Sequence, residues 1–304
     1  EKEEGYDEKF SAACNIATAP VGQLIPPTNA FIVYSAASGG AAVATLFMAG
    51  WIPGLLWAFL CMIVAFIYGK KHGYVVKREK MTAAVVGKTI LDSIPSLLLI
   101  VIIIGGILSG YFTPTEASGV AVIYAFILSV FVYKSIKLSE IKDILVNAAV
   151  TTTIVMLIIG ASSVLSFVLS FTGLPQAISN LMLGVSDNKI VILLMINVIL
   201  LIVGTFMDMA PALLIFTPIF LPVITAIGMD PIQFGVMMVM NLSIGTITPP
   251  VGSVLFVGCS VAKLKVEDVI GKLIPFFGAI VVALLFVTFV PAISTWLPTV
   301  LGLM

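Results

Sequence analysis

An all-α polytopic membrane protein is the fold class this sequence predicts, and three observations predict it. Of its 304 residues, 60% are apolar and only 10% are charged, whereas soluble domains run near 45–50% and about 25%. The apolar residues gather in blocks at about 11–49, 51–69, 94–112, 117–133, 144–172, 190–226, 232–262 and 274–297, and a bilayer crossing takes roughly 20 residues. None of these blocks alternates with the period of two that marks barrel strands. The partner implied is the lipid bilayer. Fifteen basic residues cancel 15 acidic ones, so the charge balance implies no nucleic acid.

In chain order, Glu1–Phe10 is charged and is no secretory signal. The block 11–49 contains Gly22-x-x-x-Pro26-Pro27, which interrupts a helix because proline lacks an N–H and glycine relaxes φ. After 51–69 comes the charged stretch Lys70–Lys80, with His72 as a solvated loop residue and the one histidine of the sequence. A His-based metal site or catalytic triad is thereby excluded. Residues 78–92, with Lys80, Lys88 and Asp92, predict a short amphipathic helix along the cytoplasmic interface. Thr113-Pro114-Thr115-Glu116 predicts a capping box for the helix 117–133.

Block 190–226 is too long for one span and holds Pro211, Pro218 and Pro222. Apart from Lys189, which stands alone, the basic residues fall around 2–9, 70–88, 134–142 and 263–272, which positive-inside logic places on the cytoplasmic face. The return from Lys142 to Lys263 then requires this block to cross zero or two times. It predicts a hairpin around Gly204–Pro211, either dipping in from outside or crossing twice. Trp51, Trp57 and Trp296 fall near span ends and read as interfacial anchors. Cys14, Cys61 and Cys259 lack C-x-x-C spacing and read as inert buried thiols.

The sequence also repeats itself. Gly22-x-x-x-Pro26-Pro27 recurs as Gly245-x-x-x-Pro249-Pro250, and in the same register Gly5-Tyr6-Asp7 recurs as Gly228-Met229-Asp230. The first copy leaves a cytoplasmic region and the second ends in one, so the two are expected to run in opposite directions. Inverted repeats with helices broken near the bilayer midplane are the sequence sign of secondary transporters. Freed carbonyls and the hydroxyls of Thr28 and Thr248 then suit a cation, and half-helix N-termini suit an anion. A hairpin precedes Gly228, so its counterpart is expected upstream of Glu1 in a longer protein.

Asp208 sits in the predicted hairpin tip, where a carboxylate ligates a cation, carries a proton or caps the following helix. Asn241, one turn before Gly245, offers an amide oxygen of the kind hard cations favour. Asn15 and Thr18 are placed to line a cavity or to bond between helices. The sequence contains no H-E-x-x-H and no second acid near Asp208, which argues against an intramembrane enzyme. No arginine lies in any span, the single one being Arg78. A substrate carboxylate is therefore met by backbone amides, hydroxyls or a bound cation.

Several of these segments together resemble the large membrane subunit of tripartite ATP-independent periplasmic (TRAP) transporters. They are Gly5-Tyr6-Asp7, Gly22-x-x-x-Pro26-Pro27, Phe112-Thr113-Pro114-Thr115-Glu116-Ala117, Met207-Asp208-x-x-Pro211 and Asn241-x-x-x-Gly245-x-x-Thr248-Pro249-Pro250-Val251-Gly252. The resemblance covers residues 5 to about 260, and departs from the usual pattern at Ala19-Pro20, where small hydroxyl residues are common. It implies an inverted-repeat, elevator-type transporter with a re-entrant hairpin and discontinuous helices in the bacterial inner membrane. It also implies sodium-coupled uptake of an organic acid such as sialic acid or a dicarboxylate. A soluble periplasmic substrate-binding protein would hand over that acid, and a small membrane subunit would stand alongside. A stand-alone sodium/organic anion symporter of the same architecture is the alternative.

Na+, as the transported coupling ion at two or more sites, would be framed by Gly204, Thr205, Asp208, Asn241, Gly245 and Thr248, and by Gly22, Pro26 and Thr28. Thr18, Pro27, Asn29, Pro250 and Gly252 would face the substrate. The implied division assigns 1–49 to the first broken helix and 50–172 to scaffold and arm helices. Residues 173–262 then hold the hairpin and second broken helix, and 263–304 a C-terminal transmembrane helix.

Overall fold

The computed structural model describes residues 5–73, 83–186 and 188–304. They are helical without a strand among them. Those below 75 and above 158 form one compact unit, and those between form a second. In chain order the helices are α1 (Glu8–Thr18), α2 (Asn29–Ala37), α3 (Val43–Lys71), α4 (Ala83–Leu108), α5 (Pro114–Ile127) and α6 (Ile141–Thr172). There follow α7 (Leu174–Val185), α8 (Lys189–Phe206), α9 (Met209–Ala226), α10 (Pro231–Gly245), α11 (Ser253–Ala262), α12 (Val266–Phe289) and α13 (Ala292–Val300). Among the described residues, six helices are long and apolar enough to cross a membrane.

In the smaller unit, α5 begins at the expected capping box. The Thr113 hydroxyl accepts from the Glu116 backbone N–H at 3.3 Å, and the Glu116 carboxylate accepts from the Thr113 backbone N–H at 2.8 Å. Tyr124 on α5 donates to the Pro95 carbonyl of α4 at 2.7 Å. The separate interfacial helix expected over 78–92 is not found. Residues 78–82 lie outside the described ones, and from Ala83 onward α4 runs unbroken through Lys88 and Asp92 to Leu108. A few polar residues on an otherwise apolar helix do not end it.

The larger unit is organised by the two sequence repeats. Gly5 and Gly228 take the same left-handed turn, with φ of +83° and +68°. Asp7 and Asp230 then cap α1 and α10 alike, each accepting two backbone N–H groups of the first turn. Each copy breaks where its sequence predicts. α1 tightens into a 3-10 turn over Ala19–Gln23, passes Pro26-Pro27 and restarts as α2. α10 ends at Gly245, passes Pro249-Pro250 and restarts as α11. Both Pro-Pro bonds are cis.

The two copies enter from opposite ends of α12. At its first turns, Lys9 of α1 pairs with Asp268 at 2.6 Å and Asp7 with Lys272 at 2.9 Å. At its last turn, the Gln233 amide of α10 donates to the carbonyls of Val287 and Thr288 at 3.1 and 3.0 Å. Each restarted half-helix lies along the other copy's first half. Tyr34 of α2 packs on Gly235 of α10 and donates to the Pro231 carbonyl at 2.7 Å. Ile16 of α1 fills the face of α11 left bare by Gly258.

Trp57 is no interfacial anchor. It is fully buried, and its indole N–H donates to the Ala17 carbonyl at 2.9 Å. That carbonyl lies where α1 tightens and stops supplying α-helical donors, so a buried donor from α3 is worth more there than at the interface. Trp296 is exposed and Trp51 half-buried. α3 continues through Gly50 and Pro53. α7, an amphipathic helix absent from the apolar blocks, lies against α9. Cys61 and Cys259 are buried free thiols, Cys14 is half-buried, and His72 closes α3 in an exposed position.

Candidate functional site

α8 and α9 make the predicted hairpin. Its feet lie together: the Lys189 ammonium, at the start of α8, donates to the Gly228 carbonyl just past α9 at 3.1 Å. Each leg has 18 residues, about 27 Å at 1.5 Å per residue. The tip is Met207-Asp208, both in extended conformation.

The tip reaches the break in α10. Gly204 and Gly245 meet backbone to backbone, and a Cβ on Gly245 would overlap the Gly204 carbonyl. Two glycines are what such an approach requires. The C-terminal ends of α8 and α10 therefore converge, and helix C-termini carry unsatisfied carbonyls and partial negative charge.

One turn before Gly245, Asn241 is fully buried against α8. Its amide nitrogen donates to the backbone carbonyl and the side-chain oxygen of Asn197, at 3.0 and 2.8 Å. Its own oxygen Oδ1 is buried with no hydrogen-bond partner among the described residues. Leaving such an oxygen bare costs about 1–3 kcal/mol. The Thr205 and Thr248 hydroxyls donate backwards, to Ile202 at 2.7 Å and Ile244 at 2.6 Å. Each hydroxyl proton is thus taken, and the oxygen keeps acceptor capacity only. Gly252 closes on the Thr248 carbonyl, where a Cβ would stand 2.8 Å away.

Asp208 occupies the N-cap position of α9, but its side chain makes no capping hydrogen bond. The carboxylate is exposed at the tip. The capping role read for it from the sequence is therefore not seen.

The first break is arranged differently. Thr28 is buried and caps α2, accepting from the Ala30 N–H at 3.2 Å. Pro26 is buried, while Gly22, Pro27 and Asn29 are exposed. Gly22, the counterpart of Gly245, has open space where a Cβ would stand. Thr18 donates back to Cys14 at 2.8 Å. The two breaks are joined, because the Ser243 hydroxyl lies 2.8 Å from the Gln23 side-chain amide.

The structure therefore gathers Gly204, Asn241, Gly245, Thr248 and Gly252 around one break. A separate cavity of about 770 Å³ between α1 and α11 is lined by Ser11, Asn15 and Gly258 among others. None of Thr18, Pro27, Asn29, Pro250 and Gly252 lines it. Asn197, Ser243 and Gln23 were missed in the sequence. Their signal was faint, single amides or hydroxyls inside apolar runs, where a buried polar group needs a partner.

A family model described as "Tripartite ATP-independent periplasmic transporter, DctM component" matches residues 1–293. The chain is 50% identical over 299 residues to an uncharacterized protein, YgiK, of Salmonella typhimurium, covering 98% of this chain and 68% of that protein. It is 39% identical over 291 residues to the isethionate TRAP transporter permease protein DctMQ of Oleidesulfovibrio alaskensis, covering 96% and 46%. To the C4-dicarboxylate TRAP transporter large permease protein DctM of Pseudomonas aeruginosa it is 38% identical over 308 residues, covering 98% and 70%.

Proposed function

Because this integral membrane protein belongs to the DctM component family of tripartite ATP-independent periplasmic transporters, we propose that it forms the core of a permease driven by sodium. Its cargo is a small organic acid of the kind named for its relatives, a C4-dicarboxylate or isethionate. A soluble periplasmic binding protein delivers that acid, and a small membrane subunit stands beside the permease in the bacterial inner membrane.

The observation that carries the sodium reading is the meeting of two helix C-termini at Gly204 and Gly245, beside the bare oxygen of Asn241. Carbonyls, an amide oxygen and hydroxyl oxygens whose protons are already given away make a hard, oxygen-only environment. Thr205, Thr248 and the Asp208 carboxylate at the tip complete the donor set. Gly22, Pro26 and Thr28 belong to a second sodium site at the other break. The substrate anion lies toward the starts of α2, α9 and α11, where half-helix N–H groups point at it. Pro27, Asn29, Pro250 and Gly252 flank those starts, and Thr18 lies one turn before the first break.

The hairpin, with both feet at one end and its tip at a break, is re-entrant on this reading. It travels with the broken helices as a transport body, sliding against the remaining helices in elevator fashion.

The test is uptake by the complete permease with its small subunit and binding protein in liposomes, with labelled succinate and isethionate as probes. Uptake is expected to need an inward sodium gradient. Asp208→Asn and Thr248→Ala are each expected to raise the sodium concentration for half-maximal uptake by about tenfold, the loss of about 1.4 kcal/mol of ion binding. Wild-type uptake at full rate without sodium overturns the coupling.

A further inference from the structure

The bare oxygen of Asn241 is fixed by a chain of hydrogen bonds that begins on a different helix. The Thr288 hydroxyl of α12 donates to the Leu284 carbonyl at 2.8 Å, so its oxygen faces Asn197 as an acceptor. The Asn197 amide nitrogen, in α8, donates to that oxygen at 3.2 Å and to the Leu193 carbonyl at 2.8 Å. That nitrogen also lies 3.6 Å from the Met237 sulfur of α10, and the Asn197 oxygen is the atom that meets Asn241. Against that oxygen Asn241 has to present its own nitrogen, at 2.8 Å, and a second bond to the Asn197 backbone carbonyl at 3.0 Å takes the remaining hydrogen. The Asn241 oxygen is forced to the far side, where no donor meets it among the described residues.

The direction of each amide is thus settled by its neighbours, the backbone carbonyls of Leu193 and Asn197 together with the Thr288 hydroxyl. Thr288, Asn197 and Asn241 are at most 3% exposed, so bulk water does not scramble the order. Inside a protein such a chain is all or nothing: a single reversal turns a donor toward the place where an acceptor stood.

Resting on the sodium reading above, we propose that Asn197 and Thr288 are positioning residues for the ion. They orient Asn241 so that it offers the cation an oxygen and never an N–H. Neither touches the ion. They act through the orientation of one amide, about one helical turn from the Gly204–Gly245 contact. The relay also links α8, α10 and α12 by side-chain hydrogen bonds, so the polarity of the site depends on a helix outside the hairpin.

The full-length permease, purified in detergent, tests this without any organic substrate. The readout is the rise in melting temperature with NaCl, at ionic strength held constant with KCl. Thr288→Val keeps the shape of the side chain and removes the α12 acceptor, leaving the Asn197 amide held by the Leu193 carbonyl and no longer tied to α12. The sodium concentration for half-maximal stabilisation is expected to rise about tenfold, whereas Thr288→Ser, which keeps the hydroxyl, is expected to stay within about twofold of wild type. Thr288→Ala replaces the valine variant if that is not recovered folded.

An unchanged midpoint in the valine or alanine variant overturns the proposal and leaves the Asn241 oxygen facing only a trapped water. A serine variant as weak as the valine variant overturns it too, since packing would then be the cause. A lower melting temperature without sodium, at an unchanged midpoint, assigns the relay to stability alone and likewise overturns it. Wild-type protein that sodium does not stabilise over potassium is a different failure, that of the sodium reading itself.

Discussion

At the scale of single residues, two positions decide most. Gly245 lies so close to Gly204 that a methyl group has nowhere to go, because the opposing atoms are backbone. Gly245→Ala is expected to cost about 1–3 kcal/mol, as overpacking does, and to part the tip from the break. Melting of the purified permease and its uptake rate check both effects. Asp7 concerns the other end of the unit. Burial pushes its carboxyl up, but hydrogen bonds from Lys272, Tyr68 and the backbone of Phe10 and Lys9 outweigh that and hold it at about 2, below the usual 3.8. A depressed carboxyl contributes stability above its ordinary value, and that contribution is lost as pH falls through the lowered one. Melting temperature is therefore expected to fall more steeply between about pH 4 and pH 2 in wild type than in Asp7→Asn. The residue scale is also where the sequence was least legible. Gly245 showed through a repeated pattern and Asn241 through its place one turn before it, but Asn197 and Thr288 had no neighbour in sequence to mark them, since their partners are 44 and 91 positions from Asn197.

At the scale of elements, the sequence spoke where an element's end is written locally. The capping box of α5, the paired Gly-x-Asp starts of α1 and α10, and both proline breaks depend on residues within a few positions of each other. What depends on tertiary packing was not legible. The course of α3 through Gly50 and Pro53, the amphipathic α7, and the unbroken α4 from Ala83 are such cases. Trp57 is the clearest of them. Its position near a span end suggested the lipid interface, yet it bonds the last turn of α1 from the side. Trp57→Phe keeps the ring and removes the donor, leaving a buried carbonyl bare. A destabilisation of about 1–3 kcal/mol is expected, measured by chemical denaturation. Full stability in that variant would mean that the 3-10 turn holds itself.

At the scale of the whole molecule, the two copies face opposite ways along α12, with Asp7 and Lys9 at one end and Lys189, Gly228 and Gln233 at the other. Single cysteines at Asp268 and at Lys189 are expected to react with an impermeant thiol reagent from opposite sides of the membrane, Lys189→Cys from outside. Labelling of both from one side would contradict the inverted arrangement. The breaks themselves, residues 18–29, 204–212 and 241–253, contain no lysine, arginine or histidine, and Asp208 is their single ionisable side chain. An electrical consequence follows for a site that lends its cargo no positive charge of its own. The membrane voltage does about 2.3 kcal/mol of work per elementary charge at 100 mV, and on the proposed sodium-coupled function it acts on the difference between the cations and the anion they accompany. With two sodium ions and a monovalent acid, one positive charge enters per turnover and a negative-inside potential pulls the pair inward. With a divalent acid and the same two ions, the load is neutral and the voltage has nothing to grip.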